Sequence, residues 1–388
     1  MIERPFWRQR LMSAWGQVPI VWLSGVRRVG KTTLARAIEQ IEYFDCDLPS
    51  TRREVADPEA FFRSFDGKRP VVFDEVHRLE DASSLLKIGA DHFPHLRLLA
   101  TGSSTLAATR KFRDSLTGRK RTVHMTPALW SELPLFKVQD VRRRLALGGL
   151  PEVLLSGIQQ PGFYSEWLDS FYARDVQELF HVEKRHGFLK LVELVLRNSG
   201  CGRDASQLAA ESGLSRPTVL NYLEVLETTH LIYPVRPYHG GGVQELMRQE
   251  RIYGFDTGFV VHVRGWNELR PPDCGGLWEH LVLIELLAAL DNPRIHYWRD
   301  KQGHEVDFVI PCGRDACAAI ECKWDPDEFS PANLMVFRKL HPRGLNLVVS
   351  PRITRGFERS KGDLRICYLN LAEAVQRIQA PRTGKTPG

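Results

Sequence analysis

Short apolar runs punctuate the first 155 residues. Ile20–Leu23, Val71–Phe73 and Leu96–Ala100 stand between stretches with helical spacing of apolar positions. That rhythm predicts a parallel sheet covered by helices, an α/β domain over residues 1–155. From about 160 to 230 the apolar residues recur at helical spacing: Phe188, Leu191, Val192 and Val195, then Leu220, Leu223 and Leu226. A strand-like LIYPVRPY, a turn at Gly240–Gly242 and RIYGFD follow, so residues 156–265 are expected to be helical and to end in a β-hairpin. After Pro271 and Pro272 an apolar helix precedes two or three strands around HYWRDKQGHEVDFVI and ACAAIECKW. This predicts a smaller α/β unit over 266–376, and the polar APRTGKTPG reads as a frayed tail over 377–388.

Composition narrows the class. The chain has 388 residues, 43% apolar and 26% charged, which fits a globular protein of two or three domains and excludes wholesale disorder. Its 53 basic and 47 acidic residues leave a net charge of +6, which permits a nucleic-acid partner without requiring one. No apolar stretch reaches the roughly 18 residues of a membrane-spanning helix, and MIERPFWRQR lacks the apolar core of a signal peptide. A cytoplasmic protein with no membrane partner is therefore expected. The seven cysteines form no CxxC pair and read as reduced thiols.

The candidate chemistry starts at Gly25-Val26-Arg27-Arg28-Val29-Gly30-Lys31-Thr32, which fits GxxxxGK[ST]. It follows the apolar PIVWLS and opens a helix expected over Lys31–Ile41, and such a loop turns successive backbone N–H groups toward a triphosphate. Gly25 and Gly30 allow the turn, Lys31 faces the β and γ phosphates, and Thr32 is placed to coordinate Mg²⁺. Val29 and Thr33 complete the expected ATP contacts. In Pro70-Val71-Val72-Phe73-Asp74-Glu75 an apolar strand ends in two carboxylates. Asp74 is expected to hold the Mg²⁺ through water and Glu75 to polarise the attacking water.

This loop, VVFDEVHRL, Ala100-Thr101-Gly102-Ser103-Ser104 and Leu116-Thr117-Gly118-Arg119 resemble the prokaryotic AAA-type ATPases whose C-terminal half is a domain of unknown function. The resemblance implies that Thr101 or Ser103 senses the γ phosphate. It also implies that Arg119 stabilises transferred charge, on its own subunit's nucleotide or across the interface of a homo-oligomer. Gly148-Gly149-Leu150-Pro151-Glu152 and Tyr172-Ala173-Arg174-Asp175 extend the similarity over nearly the whole chain.

Two further patterns follow. Asp204–Ser215 and Arg216–Leu223 read as a helix–turn–helix, with Gly213 in the turn and Ser215 capping the second helix; the hairpin after it would be the wing of a winged helix. From Asp204 to Thr229 the acidic Asp204, Glu211, Glu224 and Glu227 outnumber Arg216, so DNA contact through Arg216, Thr218 and Asn221 stands beside a protein-binding role. In His304-Glu305-Val306-Asp307-Phe308-Val309-Ile310, alternation puts Val306, Phe308 and Ile310 on one face and Glu305 and Asp307 on the other. With Glu321-Cys322-Lys323 on the next strand, this is the pattern of PD-(D/E)xK nucleases. There Asp307 and Glu321 would hold Mg²⁺ while Lys323 handles water, and by resemblance Glu279, or else Glu285, is the helix ligand. The expected function is ATP hydrolysis coupled to DNA binding or processing. The alternatives are a nucleotide-dependent switch that binds protein, or an antitoxin-like regulator that cuts nothing.

Overall fold

The computed structural model describes residues 2–102, 114, 116–177, 180, 182, 184–202, 204–238, 249–290, 293–313 and 315–380. Ser103, the Gly240–Gly242 turn and Gly384-Lys385-Thr386 lie outside them. The first sheet has strands β1 (Ile20–Ser24), β2 (Glu42–Asp45), β3 (Val71–Asp74), β4 (Leu98–Thr101) and β5 (Lys120–His124). They lie in the order β2-β3-β4-β1-β5, every pair parallel. All residues of β1, β3 and β4 are buried, as strands covered on both faces must be. One face packs around Trp22, Phe62, Phe73 and Leu86. The other contributes Val21, Leu23 and Leu99 to a core that runs on without a break to Phe188, Val219 and Phe255 of the next segment.

That segment holds helices Arg185–Arg197, Ala205–Ser212 and Arg216–Thr228 and strands β6 (Cys201–Gly202), β7 (Ile232–Pro237) and β8 (Arg251–Gly254). Asp204 and Ser215 cap the second and third helices, and Gly213 ends the second with φ +71°. β8 pairs antiparallel with β6 and with β7. Strands β9 (His296–Arg299), β10 (Glu305–Pro311), β11 (Cys317–Cys322), β12 (Asn346–Val349), β13 (Phe357–Lys361) and β14 (Leu364–Leu369) complete a second sheet, nine strands among the described residues. It runs β13-β14-β12-β11-β10-β9-β7-β8-β6. The parallel pairing of β7 with β9 carries it across residue 265, so the middle and C-terminal segments share one sheet.

Two expectations change. The helix after the loop ends at Arg36 rather than Ile41. In β10 the register against β9 gains one residue between Val306 and Val309, a bulge. Val306 therefore packs with Val309 on one side while Phe308 and Ile310 pack on the other, so the simple alternation fails at Asp307.

The Gly148-Gly149 pair is explained by a buried joint. Asp256 accepts hydrogen bonds from the Gly149 N–H at 2.6 Å and the Gly258 N–H at 2.8 Å. Arg144 donates to the Ala128 carbonyl and to the Thr257 hydroxyl. Gly148 has φ +77°, and a Cβ there would lie 1.9 Å from Asp256 Oδ1. We predict that Gly148→Ala destabilises the chain by about 1–3 kcal/mol. Gly162→Ala, in the first turn of helix Pro161–Phe171 with open space at its Cβ, should be neutral or stabilising by up to about 1 kcal/mol. Urea denaturation midpoints check both signs.

Candidate functional site

The loop between β1 and the helix Lys31–Arg36 is held from outside. Gly25, Arg28 and Gly30 have φ of +145°, +58° and +105°, and a Cβ on Gly25 would lie 2.4 Å from the Met125 carbonyl oxygen. The Arg27 carbonyl accepts from Trp167 Nε1 at 3.2 Å, and the Val29 carbonyl accepts from Arg4 Nη1 at 3.0 Å. Arg4 is itself buried on Glu132, donating from Nε at 2.8 Å. The Lys31 ammonium donates to the carbonyls of Gly25 at 2.8 Å and Val26 at 3.1 Å. Burial lowers the Lys31 pKa, and the charges of Glu75, Asp175 and Asp74 act against that shift.

A cavity of about 760 Å³ opens over this loop. Gly25, Gly30, Lys31, Thr32, Thr33 and Glu75 line it. Across from them the lining includes Glu152, Arg174, Asp175 and Thr229, from beyond the first sheet. Arg27 reaches Asp175 at 3.4 Å. Arg174 and Asp175 were quoted from sequence only as an extension of the similarity, and a fold is needed to bring them 140 residues back to the loop.

At the tip of β3, Asp74 is buried, and its carboxylate accepts from the hydroxyls of Tyr43 (2.5 Å) and Thr101. The Thr101 Oγ1 also accepts from the Glu75 N–H at 3.1 Å. Thr101 is fully buried and engaged by the strand tip, so it does not face the cavity; Gly102 does. Neither Asp74 nor Val29 is in the lining. Thr101 is thus a positioning residue for the carboxylate pair rather than a phosphate contact. Glu75 takes φ +55°, reaches His77 Nδ1 at 3.1 Å, and has its pKa raised by burial and by Asp74, against the pull of Lys31.

The donor set fits Mg²⁺–ATP. Backbone N–H groups at a helix N-terminus, the Lys31 ammonium, the Thr32 hydroxyl and the Glu75 carboxylate meet at one cavity, with Asp74 buried at the same strand tip. Thr32 is the direct ligand available to the metal and Asp74 stands behind it. Mg²⁺, when bound, neutralises charge on the β and γ oxygens.

Arg119 lies elsewhere. It directly precedes β5, its carbonyl accepts from the Ile20 N–H, and its guanidinium pairs with Asp91 at 2.5 Å. This is the amino end of the parallel strands, about 15 Å from the loop at their carboxyl end. Of the two alternatives for Arg119, its own subunit's nucleotide or a neighbour's, this position does not fit the first.

The C-terminal carboxylates do come together. Lys323 Nζ stands 2.8 Å from Glu321 and 3.5 Å from Asp307, and Asp307 accepts from the Cys322 N–H at 2.7 Å. Glu279 accepts from the Tyr253 hydroxyl and lies 3.6 Å from Arg251, whose other amine pairs with Glu305. Burial and Asp307 push Glu279 and Glu321 up to about 8. Burial opposes the Lys323 charge, but Asp307 and Glu321 outweigh it and raise its pKa. Among the described residues no three His, Cys, Asp or Glu side chains are grouped to hold a metal ion. Lys323 and Arg251 act as counter-ions to these carboxylates, but they leave the buried Glu321 Oε1 without a hydrogen-bond partner. Glu285 is separate: it accepts from the Trp130 N–H at 3.0 Å, and burial pushes it up to about 8.

Comparison with known proteins agrees with the loop. Residues 17–133 match the family model described as an AAA domain. The N-terminal unit is an AAA-type P-loop ATPase domain. Residues 138–270 and 274–366 match two domains of unknown function, DUF8612 and DUF4143. An uncharacterized protein of Mycobacterium tuberculosis is 26% identical over 325 residues, covering 80% of this chain and 71% of that one. An uncharacterized protein of Haemophilus influenzae is 23% identical over 355 residues, covering 80% and 88%. Among solved structures, a Walker-type ATPase of Pyrococcus abyssi aligns with 68% of this chain and 96% of its own at 16% identity, with a TM-score of 0.46. No helix among the described residues is long and apolar enough to cross a membrane.

The raised Glu75 pKa sets a pH dependence for the AAA domain. A carboxylate that must be ionised to polarise water works above its own pKa and fails as pH falls through it. Hydrolysis should therefore fall off at a pH above the ordinary glutamate value of about 4.3. Glu75→Gln should keep ATP binding and lose turnover at every pH. Steady-state turnover across pH, with circular dichroism to exclude unfolding, measures this.

Proposed function

We propose that the protein binds and hydrolyses Mg²⁺–ATP and uses the cycle to move the segments that follow its AAA domain. The observation that supports this is the composition of the cavity: one wall is the phosphate-binding loop and Glu75, the other is Glu152, Arg174, Asp175 and Thr229 from the next segment. A γ phosphate bound against Lys31 bears on both walls, so its loss changes what holds them together. In the cycle Lys31 binds the phosphates, Thr32 orients the metal, Glu75 accepts a hydrogen bond from the attacking water, and Asp74 and Thr101 fix the strand tip.

The downstream reading is finer. Helices Ala205–Ser212 and Arg216–Thr228 with strands β6, β8 and β7 have the order of a winged helix, and Arg216 and Asn221 are exposed on the second of them. We assign DNA as the partner of this element and a nuclease-like fold to the C-terminal strands. A second reading, a nucleotide-dependent switch that cuts nothing, rests on one observation: Lys323 pairs with both Glu321 and Asp307 inside the carboxylate cluster. Both readings share the ATPase and differ in what DNA does.

The test is ATP turnover of the full chain with and without single-stranded, duplex and branched DNA. Stimulation by DNA, lost in Arg216→Glu, supports the first reading; unchanged turnover supports the switch. We assign Arg119 to a neighbouring subunit's nucleotide, since it lies away from its own subunit's loop. Arg119→Ala should lower turnover on the order of a thousandfold, and mixing it with Lys31→Ala subunits should restore part of the loss. No recovery on mixing contradicts a role across an interface.

A further inference from the structure

A second cavity, of about 680 Å³, lies where the AAA domain, the middle segment and the long C-terminal helix Pro271–Ala289 meet. Its lining divides by chemistry. Arg10, from the first helix Pro5–Trp15, and Arg121, from β5, bring two guanidinium groups near each other, while Lys120, next to Arg121 on the strand, points to the other face with His124. Leu283, Leu287 and Ile295 supply an apolar wall. Between them stand rings: His124 Nε2 and the Tyr233 hydroxyl are 2.7 Å apart, and the His124 and His230 ring centroids are 3.9 Å apart. Burial lowers the Arg10 pKa and the nearby Arg121 charge lowers it further, so two guanidinium groups of like sign are held close in a half-buried place. The exposed Glu227 is the one carboxylate in the lining described.

The volume suits a small organic molecule. Like charges gathered beside an apolar wall are complementary to an anionic head joined to a flat apolar body, and neither half of the lining alone would select it. We infer that this cavity is a binding site for an aromatic organic anion, with its sulfonate or phosphate head at Arg10 and Arg121 and its body against Leu283, Leu287 and the His124–Tyr233 rings. The wall that separates it from the nucleotide is thin. Thr229 lines the nucleotide cavity while His230, at φ +59°, lines this one. His124 is in register with Ser24, the last residue before the phosphate-binding loop. A ligand here would press on the base of that loop.

The test uses 8-anilinonaphthalene-1-sulfonate, a flat apolar body with one sulfonate, added to the full-length Lys31→Ala protein so that the nucleotide loop is disabled. The expected result is saturable fluorescence with one site per chain. Arg121→Gln should weaken it at least about tenfold through the lost head contact, and Leu287→Trp should abolish it by filling the cavity. Each variant's thermal midpoint is compared with its parent's, and because the readout is binding, it is independent of ATP turnover. Absence of saturable binding, or binding undiminished in both variants, overturns the inference.

Discussion

Everything in the nucleotide site depends on where the carbonyls of one loop are forced to point. A backbone that presents its N–H groups to a phosphate must dispose of its carbonyls on the other side, and buried carbonyls need donors. Here the donors come from three places: Arg4 from the extreme N-terminal helix, Trp167 from beyond the sheet, and the loop's own Lys31. Arg4 is fixed in turn by Glu132, which also accepts from the Leu129 N–H. The loop is therefore clamped by elements on either side of it in sequence, and its left-handed residues Gly25, Arg28 and Gly30 are the conformational consequence.

The two carboxylate groupings in the chain solve opposite electrostatic problems. At the nucleotide loop Glu75 shares an open, polar cavity with Lys31, Arg27 and Arg174, while Asp74 is buried on Tyr43 and Thr101, an arrangement that can accept a metal-bound anion. In the C-terminal sheet Asp307 and Glu321 are buried and Glu279 partly so, and the chain sets its own cations, Lys323 and Arg251, directly against them. Arg251 belongs to β8, so its contact also ties the middle segment to the C-terminal strands. Buried charges need partners; Lys323 and Arg251 supply them here except at the buried Glu321 Oε1, which has no hydrogen-bond partner.

The loop and the β3 tip were legible because their chemistry is contiguous: a strand, a bend and a helix within Ile20–Arg36, and an apolar run ending in two acids. Sequence reading missed the short β6, the strands β12 to β14 beyond the two or three expected in the C-terminal unit and, in the first sheet, β2, EYFD, and β5, KRTVH. β2 and β5 are edges of the first sheet, and a half-buried edge does not need the continuous apolar run that marks β1, β3 and β4. The face of Val306 was misjudged because a bulge breaks period-two counting, and no residue in EVDFVIP announces it. Arg174 and Asp175 in the cavity, and the wrong end of the sheet for Arg119, depend on long-range topology that spacing along the chain does not carry. The helix–turn–helix signals, by contrast, are local: Asp204, Gly213 and Ser215 act within a few residues of themselves, and each takes the position its chemistry requires.

The central claim is that this clamped loop forms a ready site for one magnesium-bound triphosphate. Isothermal titration of the unmodified full-length chain with Mg²⁺–ATP tests it most directly. The account requires saturable binding with one nucleotide per chain, competed by ADP and weakened when Mg²⁺ is chelated. Heats that never saturate, or binding indifferent to chelation, contradict it.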